Sequence, residues 1–381
     1  MRTDEIMTQT PLTQLMFRKA NKDKIPLSGT FELSPLCNFS CRMCYVKQTP
    51  EQVRQHTRKM MTLEQWMNLA DCAEKAGMLY LLLTGGEPLL WPDFWKLYSY
   101  LSQKGFMISI NTNFSMINEE AAAKFREMPP SRINITLYGA SNETYRKLCG
   151  SSDGFERTDR AISLLKDAGI QVKLNCSLTP YNSQDLEQMV KYAEERKLIL
   201  SVNTYMFPPL RKNPESIGIN DRFTPEEAAY WNIRRLYLQR GEERCLEFLK
   251  RVAEGMAEPM GLDESCYDPA DGKIRCQAGR ASFWATWDGY MAPCGMLPKP
   301  KVDLMENDFH EAWEKLNSYT EKIVLSGICE KCNNRGICHS CAATAMAETG
   351  EFHKVSKYLC EMMEAMRKIA GEQLKIRSTD R

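Results

Sequence analysis

Three cysteines within eight residues, CNFSCRMC, constrain this chain more than any other feature of its sequence. Cys37, Cys41 and Cys44 have the spacing Cys-x3-Cys-x2-Cys and follow a strand-like run, so their thiols can reach one metal centre. Structural zinc takes four ligands and a four-iron cluster normally takes four thiolates, but the nearest further candidate is the distant His56. Three ligands leave one metal position open, which indicates a catalytic centre rather than a structural one.

Composition narrows the class of protein further. The 381 residues suffice for about two domains or one elaborated barrel, and the net charge of +1 argues against a protein that coats nucleic acid or an anionic membrane. The chain has 15 cysteines but neither a signal peptide nor an apolar run of spanning length. We therefore expect a protein of the reducing cytoplasm, in which cysteines serve metal or redox chemistry rather than disulfides.

Strand-like and helix-like runs alternate from about Gly29 to Phe207. This pattern predicts an α/β fold with a parallel sheet and helices outside it. Six units fall short of the eight of a closed barrel, which favours a partial (β/α)6 TIM-like barrel with its chemistry at the C-terminal ends of the strands. The predicted strands are 31–36, 80–86, 106–113, 132–139, 171–179 and 199–207. A helix at 61–77 opens with a Thr62–Gln65 capping box.

Three regions follow from this pattern and from the distribution of the cysteines. Residues 1–28 form an N-terminal extension, 29–257 the partial barrel with linking helices, and 258–381 a cysteine-rich domain that ends in a helix. The boundary is placed in the linker-like segment 258–265, EPMGLDES.

The triad resembles the signature of the radical S-adenosylmethionine (SAM) enzymes, and further motifs extend the resemblance. Gly85-Gly86-Glu87-Pro88 looks like the family's GGEP motif, whose backbone meets the amino group of SAM, and glycines let a ligand approach closely. By the same resemblance Asn111 and Asn113 face the ribose, and Thr136 and Arg157 contact the SAM carboxylate, with Arg146 or Arg160 as substitutes for Arg157. Met43 stands where the family usually has an aromatic residue near adenine, and Tyr45 follows the third cysteine.

This resemblance implies a 4Fe-4S cluster and SAM as cofactors. Reductive cleavage of SAM would give a 5′-deoxyadenosyl radical that removes a hydrogen atom from the substrate. The competing interpretation of the triad is three buried structural thiols or an adventitious zinc site.

The last third of the chain carries a second set of cysteines. It resembles the SPASM extension of radical SAM enzymes, which usually holds two auxiliary 4Fe-4S clusters. The resemblance implies one cluster on Cys329, Cys332, Cys338 and Cys360, and another on Cys276, Cys294 and Cys341. Some relatives supply a fourth ligand at the position of Ser282, so that Cys266 or an open site would have to substitute here. Zinc remains the alternative metal for the two CxxC pairs.

The remaining cysteines and one loop are assigned plainer roles. Cys72, Cys149, Cys176 and Cys245 are predicted to be small buried apolar residues. The proline-rich segment 207–222 contains Arg211, Lys212 and Arg222, and is interpreted either as a solvated connector or as a basic loop over the substrate channel.

Enzymes of this type commonly modify peptides, so we expect a peptide substrate that receives a thioether or carbon–carbon crosslink or a related change. Three alternatives are a small-molecule substrate, oxidation of Ser or Cys as in anaerobic sulfatase maturation, and a non-catalytic metal-binding scaffold. The sulfatase-maturing enzymes carry an Asp where this chain has Gly295. About thirty residues precede the first strand, too few for a leader-binding domain, so either a separate leader-binding protein or leader-independent binding of the peptide is expected. Flavodoxin or ferredoxin is the expected electron donor.

Overall fold

The computed structural model describes residues 11–255, 272–274, 276–338 and 340–379. Its strands are Ser28–Glu32 (β1), Tyr80–Thr84 (β2), Met107–Thr112 (β3), Arg132–Thr136 (β4), Val172–Ser177 (β5), Ile199–Asn203 (β6), Ser282–Ala285 (β7), Tyr290–Ala292 (β8) and Val302–Asp303 (β9). They form one sheet in the order β6-β5-β4-β3-β2-β1-β7-β8-β9. All pairings from β6 to β7 are parallel, and the last two are antiparallel. The prediction of a parallel α/β sheet of the partial-barrel type is confirmed.

Helices connect the strands and cover one face of the sheet. They are Pro11–Asp23 (α1), Pro50–Gln55 (α2), Leu63–Lys75 (α3), Phe94–Gln103 (α4), Glu119–Glu127 (α5), Asn142–Cys149 (α6), Gly154–Asp167 (α7), Leu186–Glu195 (α8), Pro225–Arg240 (α9), Glu242–Glu254 (α10), Phe309–Glu321 (α11), Ala342–Thr349 (α12) and Lys357–Thr379 (α13). The predicted capping box opens α3, where Thr62 accepts from the Gln65 amide and the Gln65 side chain accepts from the Thr62 amide. No helix in the described ranges is both long enough and apolar enough to span a bilayer.

The first strand lies earlier than predicted. It spans Ser28–Glu32, so the prediction of 31–36 was wrong by about three residues at the start and four at the end. From Leu33 onward the backbone bonds to the end of β2 and to the loop beyond it. The Leu33 amide donates to the carbonyl of Thr84, the last residue of β2, and the Gly86 amide donates to the Ser34 carbonyl. This apolar run is therefore a buried loop that leads into the triad, and burial alone made it resemble a strand.

The two faces of the barrel sheet differ sharply in polarity. Phe31 packs against Trp66 of α3 with ring centroids 5.0 Å apart, which identifies its face as the outer, helix-covered one. Because in-register partners of a parallel sheet share a face, the outer face also carries the buried residues Leu83, Ile110, Ile133, Leu174 and Leu200. The alternate residues face the inside of the open barrel and are mostly polar: Glu32, Thr84, Asn111, Asn134, Thr136, Lys173, Asn175, Ser177, Ser201 and Asn203.

The cysteine-rich part of the chain continues the barrel sheet. β7 pairs with β1 in parallel, from Ser28 opposite Ser282 to Phe31 opposite Ala285. Phe283 of β7, Leu359 of α13 and the barrel strands belong to one hydrophobic cluster. The proposed division at 257/258 falls outside the described residues.

Candidate active site and the cysteine-rich tail

The triad loop is held against the loop that follows β2. The Gly86 amide donates to the Ser34 carbonyl at 2.7 Å, and the Glu87 amide donates to the Leu36 carbonyl at 2.9 Å. A Cβ on Gly85 would lie 2.5 Å from the Ser34 oxygen, and one on Gly86 would lie 2.3 Å from the Leu36 oxygen. Both glycines are therefore required by the approach of the triad loop itself. The sequence argument had explained them by the approach of a ligand alone.

Glu87 ties this pair of loops to the end of β3. Its carboxylate accepts from the Thr112 hydroxyl at 2.8 Å, the Asn113 amide at 2.7 Å and the Leu89 amide at 3.2 Å. The side chain is fully buried, and burial raises its pKa to about 7 although these donors act in the opposite direction. Pro88 begins a short 3-10 turn, Pro88–Leu90, directly behind it. Glu87 thus acts as an internal brace, not as a group open to solvent.

Asn113 carries the connection on to the triad. Its side-chain amide donates to the Cys37 sulfur at 3.4 Å and to the Asn38 side chain at 3.0 Å. Arg157 of α7 donates to the Ser115 carbonyl at 2.8 Å, beside the same loop. The two substitutes for Arg157 lie elsewhere: Arg146 is exposed, and Arg160 pairs with Glu119 at the surface.

The other predicted SAM residues lie around this network. Asn111 and Thr136 face the inside of the barrel on β3 and β4, and Met43 is half-buried against the main hydrophobic cluster. Cys37, the GGEP segment, Asn113 and Arg157 are thus brought into one bonded group, whereas Thr136 and Met43 share its neighbourhood without a hydrogen bond to it.

The three triad thiols are half-buried. Burial raises the pKa of Cys37 to about 11 and also raises the pKa of Cys44. Cys41 hydrogen-bonds Cys149, and this bond raises the pKa of Cys41, as does burial, whereas the same bond lowers the pKa of Cys149. In the described part of the chain no three His, Cys, Asp or Glu side chains already have the arrangement of a formed metal site. Binding a cluster requires thiolates, so it must remove the protons of the triad thiols.

Cys149 is the residue of this neighbourhood that the sequence did not reveal. It is buried as predicted, but it ends α6 directly beneath the triad loop, where its carbonyl accepts from the Ser40 amide at 2.9 Å. Cys176 and Cys245 are buried as predicted, whereas Cys72 is only half-buried. No spacing in the sequence connects Cys149 with Cys41, because the contact depends on how α6 docks.

The tail cysteines converge on one cavity of about 150 Å³. Those that line it are Cys276, Cys329, Cys332, Cys338, Cys341 and Cys360. Burial, together with the charges of Cys360, Cys329 and Cys332, raises the pKa of Cys338 to about 11, so these four thiols are neighbours. Cys294 does not line the cavity, and the charge of Cys341 acts on it. Thiol side chains around a cavity whose surface is mostly apolar fit the soft surroundings of an iron–sulfur cluster. Cys266 lies outside the described residues, and Ser282 stands in β7.

A buried ion pair joins the triad side of the barrel to the tail. Arg211, beyond β6, forms two bonds with Glu32 at the end of β1, at 2.8 and 2.9 Å, and also donates to the Gly295 carbonyl at 2.8 Å. Trp284 of β7 donates to the same carboxylate at 2.9 Å. The Tyr45 hydroxyl lies near this ion pair. Its pKa is raised by burial and also by the charges of Cys44 and Cys294.

A second buried pair, Arg222 with Glu348 of α12, fixes the other end of the same segment. Of the two interpretations of segment 207–222, a solvated connector and a basic loop for a substrate, neither describes these two arginines. Both arginines form ion pairs, Arg211 with Glu32 of β1 and Arg222 with Glu348 of α12, and these pairs fasten the segment to the barrel and to the tail.

Replacing Gly86 with alanine is expected to destabilise the protein by about 1–3 kcal/mol, because a Cβ 2.3 Å from the Leu36 oxygen must push the triad loop away. Urea unfolding measures the change. Gly371→Ala is the control, since its Cβ would meet no atom within 4 Å and a helical alanine is neutral or slightly stabilising. Equal stability of the two variants would show that the loop yields without cost.

Comparison with known proteins shows which family model and which proteins this chain resembles. The sequence model of the Radical SAM superfamily matches residues 31–193. The AdoMet-dependent heme synthase of Methanosarcina barkeri is 24% identical over 340 residues, which cover 86% of this chain and 94% of that protein. The mycofactocin maturase MftC of Mycolicibacterium smegmatis is 27% identical over 332 residues, covering 85% of this chain and 80% of that protein. The crystal structure of Streptococcus suis SuiB bound to its precursor peptide SuiA superposes with a TM-score of 0.66 at 17% identity, over 92% of this chain and 81% of that one.

Proposed function

Because this chain is a radical SAM enzyme with a C-terminal auxiliary domain, we propose that it abstracts a hydrogen atom from a peptide substrate and thereby modifies that peptide. The observation that carries the proposal is the braced group at the ends of β1, β2 and β3, in which the triad loop, the two glycines, Glu87 and Asn113 depend on one another.

Cys37, Cys41 and Cys44 are the proposed ligands of the SAM-binding 4Fe-4S cluster. Gly85, Gly86, Glu87, Pro88, Asn111, Asn113, Thr136, Arg157 and Met43 are the proposed SAM residues. The tail cysteines are the proposed ligands of two auxiliary clusters, one on Cys329, Cys332, Cys338 and Cys360, and one on Cys276, Cys294 and Cys341. The convergence of six of these thiols on one cavity, with Cys294 beside Cys341, supports this grouping.

When bound, the reduced cluster and SAM supply the 5′-deoxyadenosyl radical that takes hydrogen from the substrate. The residues of the chain itself hold the loops around the triad in one geometry and shield the site from water and oxygen. Glu87 fixes the loop after β3 to the loop after β2, so that both meet the triad in one geometry. The post-β6 segment is fastened by Arg211 to Glu32 at the end of β1 and by Arg222 to Glu348 in the tail, and its proposed role is to limit access of water and oxygen.

The polar inner face of the barrel supports a peptide substrate. Asn111, Asn134, Asn175 and Ser177 present amide and hydroxyl groups along adjacent strands, and a peptide backbone can satisfy such groups. Similarity to a maturase over 85% of the chain points in the same direction. A separately encoded leader-binding protein and a flavodoxin or ferredoxin remain the proposed partners, in a reducing compartment.

Anaerobic reconstitution followed by addition of SAM and reductant tests the activity. We expect formation of 5′-deoxyadenosine, and its deuteration when a deuterated peptide substrate is present. The short open reading frames beside the gene supply the candidate peptides. A fully reconstituted enzyme that forms no 5′-deoxyadenosine would refute the proposal.

A small-molecule substrate is the second candidate, because the similarity to the heme synthase spans 94% of that enzyme. Iron porphyrins offered to the same preparation distinguish the two. Deuterium transfer from a porphyrin, and none from peptides, would replace the peptide proposal.

Sulfatase-type oxidation of Ser or Cys is disfavoured by the packing at Gly295. A Cβ at this position would lie 2.7 Å from the Trp284 ring, so the Asp of those enzymes has no room while Trp284 keeps its bond to Glu32. At the position of that proton-accepting Asp this chain has Gly295, which carries no acid group.

A further inference from the structure

Two cations face the inside of the barrel beside the proposed SAM residues. Lys173 on β5 lies opposite Asn134 on β4, and Arg132 is the preceding inward-facing residue of β4. Asn134 in turn donates to the Asn111 side chain at 2.8 Å. Asn111, Asn134 and Lys173 thus form one row across three strands. Thr136 and Asn175 form the next row, about 7 Å further along at 3.3 Å per residue.

Neither cation has a counter-charge within the described ranges of the chain. Among the described residues, no side chain forms a hydrogen bond or an ion pair with the side chain of Lys173 or Arg132. Burial lowers the pKa of both groups, and the charge of Arg132 lowers that of Lys173 further. The inner-face carboxylate of Glu32 is already occupied by Arg211 and Trp284. Lys173 is half-buried, so its ammonium carries a desolvation cost that no described side chain offsets, whereas Arg132 is exposed at the start of β4.

An unused hydrogen-bond acceptor lies in the same row. Asn134 is 8% exposed, and its side-chain oxygen has no hydrogen-bond partner among the residues that the structure describes, even though its nitrogen donates to Asn111. A buried acceptor without a donor destabilises the fold. A ligand that satisfies this row must therefore bring a negative charge and an N–H or O–H donor together.

We propose that Lys173, Arg132 and Asn134 form a binding site for an acidic residue of the substrate peptide. The side-chain carboxylate meets the two cations, and a backbone N–H of the same residue donates to the Asn134 oxygen. This inference rests on the proposed function and specifies its substrate: the modified residue lies within a residue or two of an aspartate or glutamate. The site then anchors the peptide in the row of Asn111 and one row from Thr136, both of which are proposed to hold SAM.

Stability without substrate provides the first test. Lys173→Gln is expected to raise the urea midpoint of the protein, because it removes an uncompensated charge from beside Arg132. Lys191→Gln is the matched control, since that lysine is 75% exposed on α8. A fall in the midpoint of Lys173→Gln, with the control unchanged, would mean that the lysine has a structural partner and would overturn the proposal.

Ligand binding provides the second test, measured by saturation-transfer NMR on the reconstituted, SAM-loaded enzyme without reductant. The probe is N-acetyl-glutamate N-methylamide, with the corresponding glutamine compound as its uncharged counterpart. We expect binding of the acidic probe to be at least tenfold weaker for Lys173→Gln and unchanged for Lys191→Gln. Equal binding of the two probes to the wild type would overturn the proposal.

Glutarate, which has carboxylates but no N–H, separates the two sources of a carboxylate. Weaker binding of glutarate than of the acidic probe supports a peptide residue, and equal binding would assign the site to a small-molecule carboxylate instead. Neither measurement requires turnover. Failure of SAM cleavage would therefore refute the proposed function, while failure of these tests would refute only the acidic-residue site.

Discussion

Replacing Cys41 with alanine will reduce 5′-deoxyadenosine formation to background and lower the bound iron by about four atoms per chain. The variant leaves only two of the three proposed triad ligands, which is too few to hold the cluster. Cys149, which hydrogen-bonds Cys41 from the end of α6, is the nearby thiol whose contribution has to be tested separately. Iron analysis and quantification of the nucleoside by liquid chromatography measure the two effects.

Cys72→Ala serves as the control for this variant. Cys72 is a half-buried thiol on the outer helix α3, so its loss should leave both iron and nucleoside at wild-type levels. Retention of full activity by Cys41→Ala would remove that thiol from the cluster and leave the triad without a catalytic role. A Cys149→Ala variant extends the comparison, since it removes the partner of Cys41 without removing a proposed ligand.

Arg211→Ala is expected to cost about 3–5 kcal/mol of stability, because breaking a buried ion pair leaves its other charge without compensation. The change removes the bidentate guanidinium from the fully buried Glu32 carboxylate. The bond from the Trp284 N–H, which is already present, then remains without a positive charge beside it. Urea unfolding at pH 7 measures the loss. The exposed pair Arg160–Glu119 is the control, and Arg160→Ala should cost less than about 1 kcal/mol.

The double variant Arg211→Met, Glu32→Gln separates the two causes of that loss. If the cost arises from the stranded charge, removing both charges restores most of the stability. If the double variant is as unstable as Arg211→Ala, the position of the post-β6 segment matters more than the charge of Glu32.

The sequence reveals local features well because their physics is local. The capping box at Thr62, the strand–helix alternation and the short spacing of the triad depend on residues near one another in the chain, and the structure has each of them as expected. The start of β1 was misplaced because a buried loop and a buried strand have the same apolar composition.

Features that join distant segments could not be inferred in the same way. Arg211 and Glu32 are 179 residues apart, and nothing near either residue indicates the other. The contact of Cys41 with Cys149 and the uncompensated charges at Lys173 and Arg132 likewise depend on which strands become neighbours. A charged residue between apolar neighbours, as Glu32 lies between Phe31 and Leu33, is the one signal that could have prompted a search for a partner.

The pairing of β1 with β7 has a consequence for how the protein is made. β1 emerges from the ribosome more than 250 residues before its neighbour on that side, counted from Ser28 to Ser282. Until synthesis reaches β7, the nascent barrel exposes a bare strand edge able to pair with other chains. Truncations that end before β7 should therefore aggregate during expression, and slower translation should increase the dependence of the full chain on chaperones.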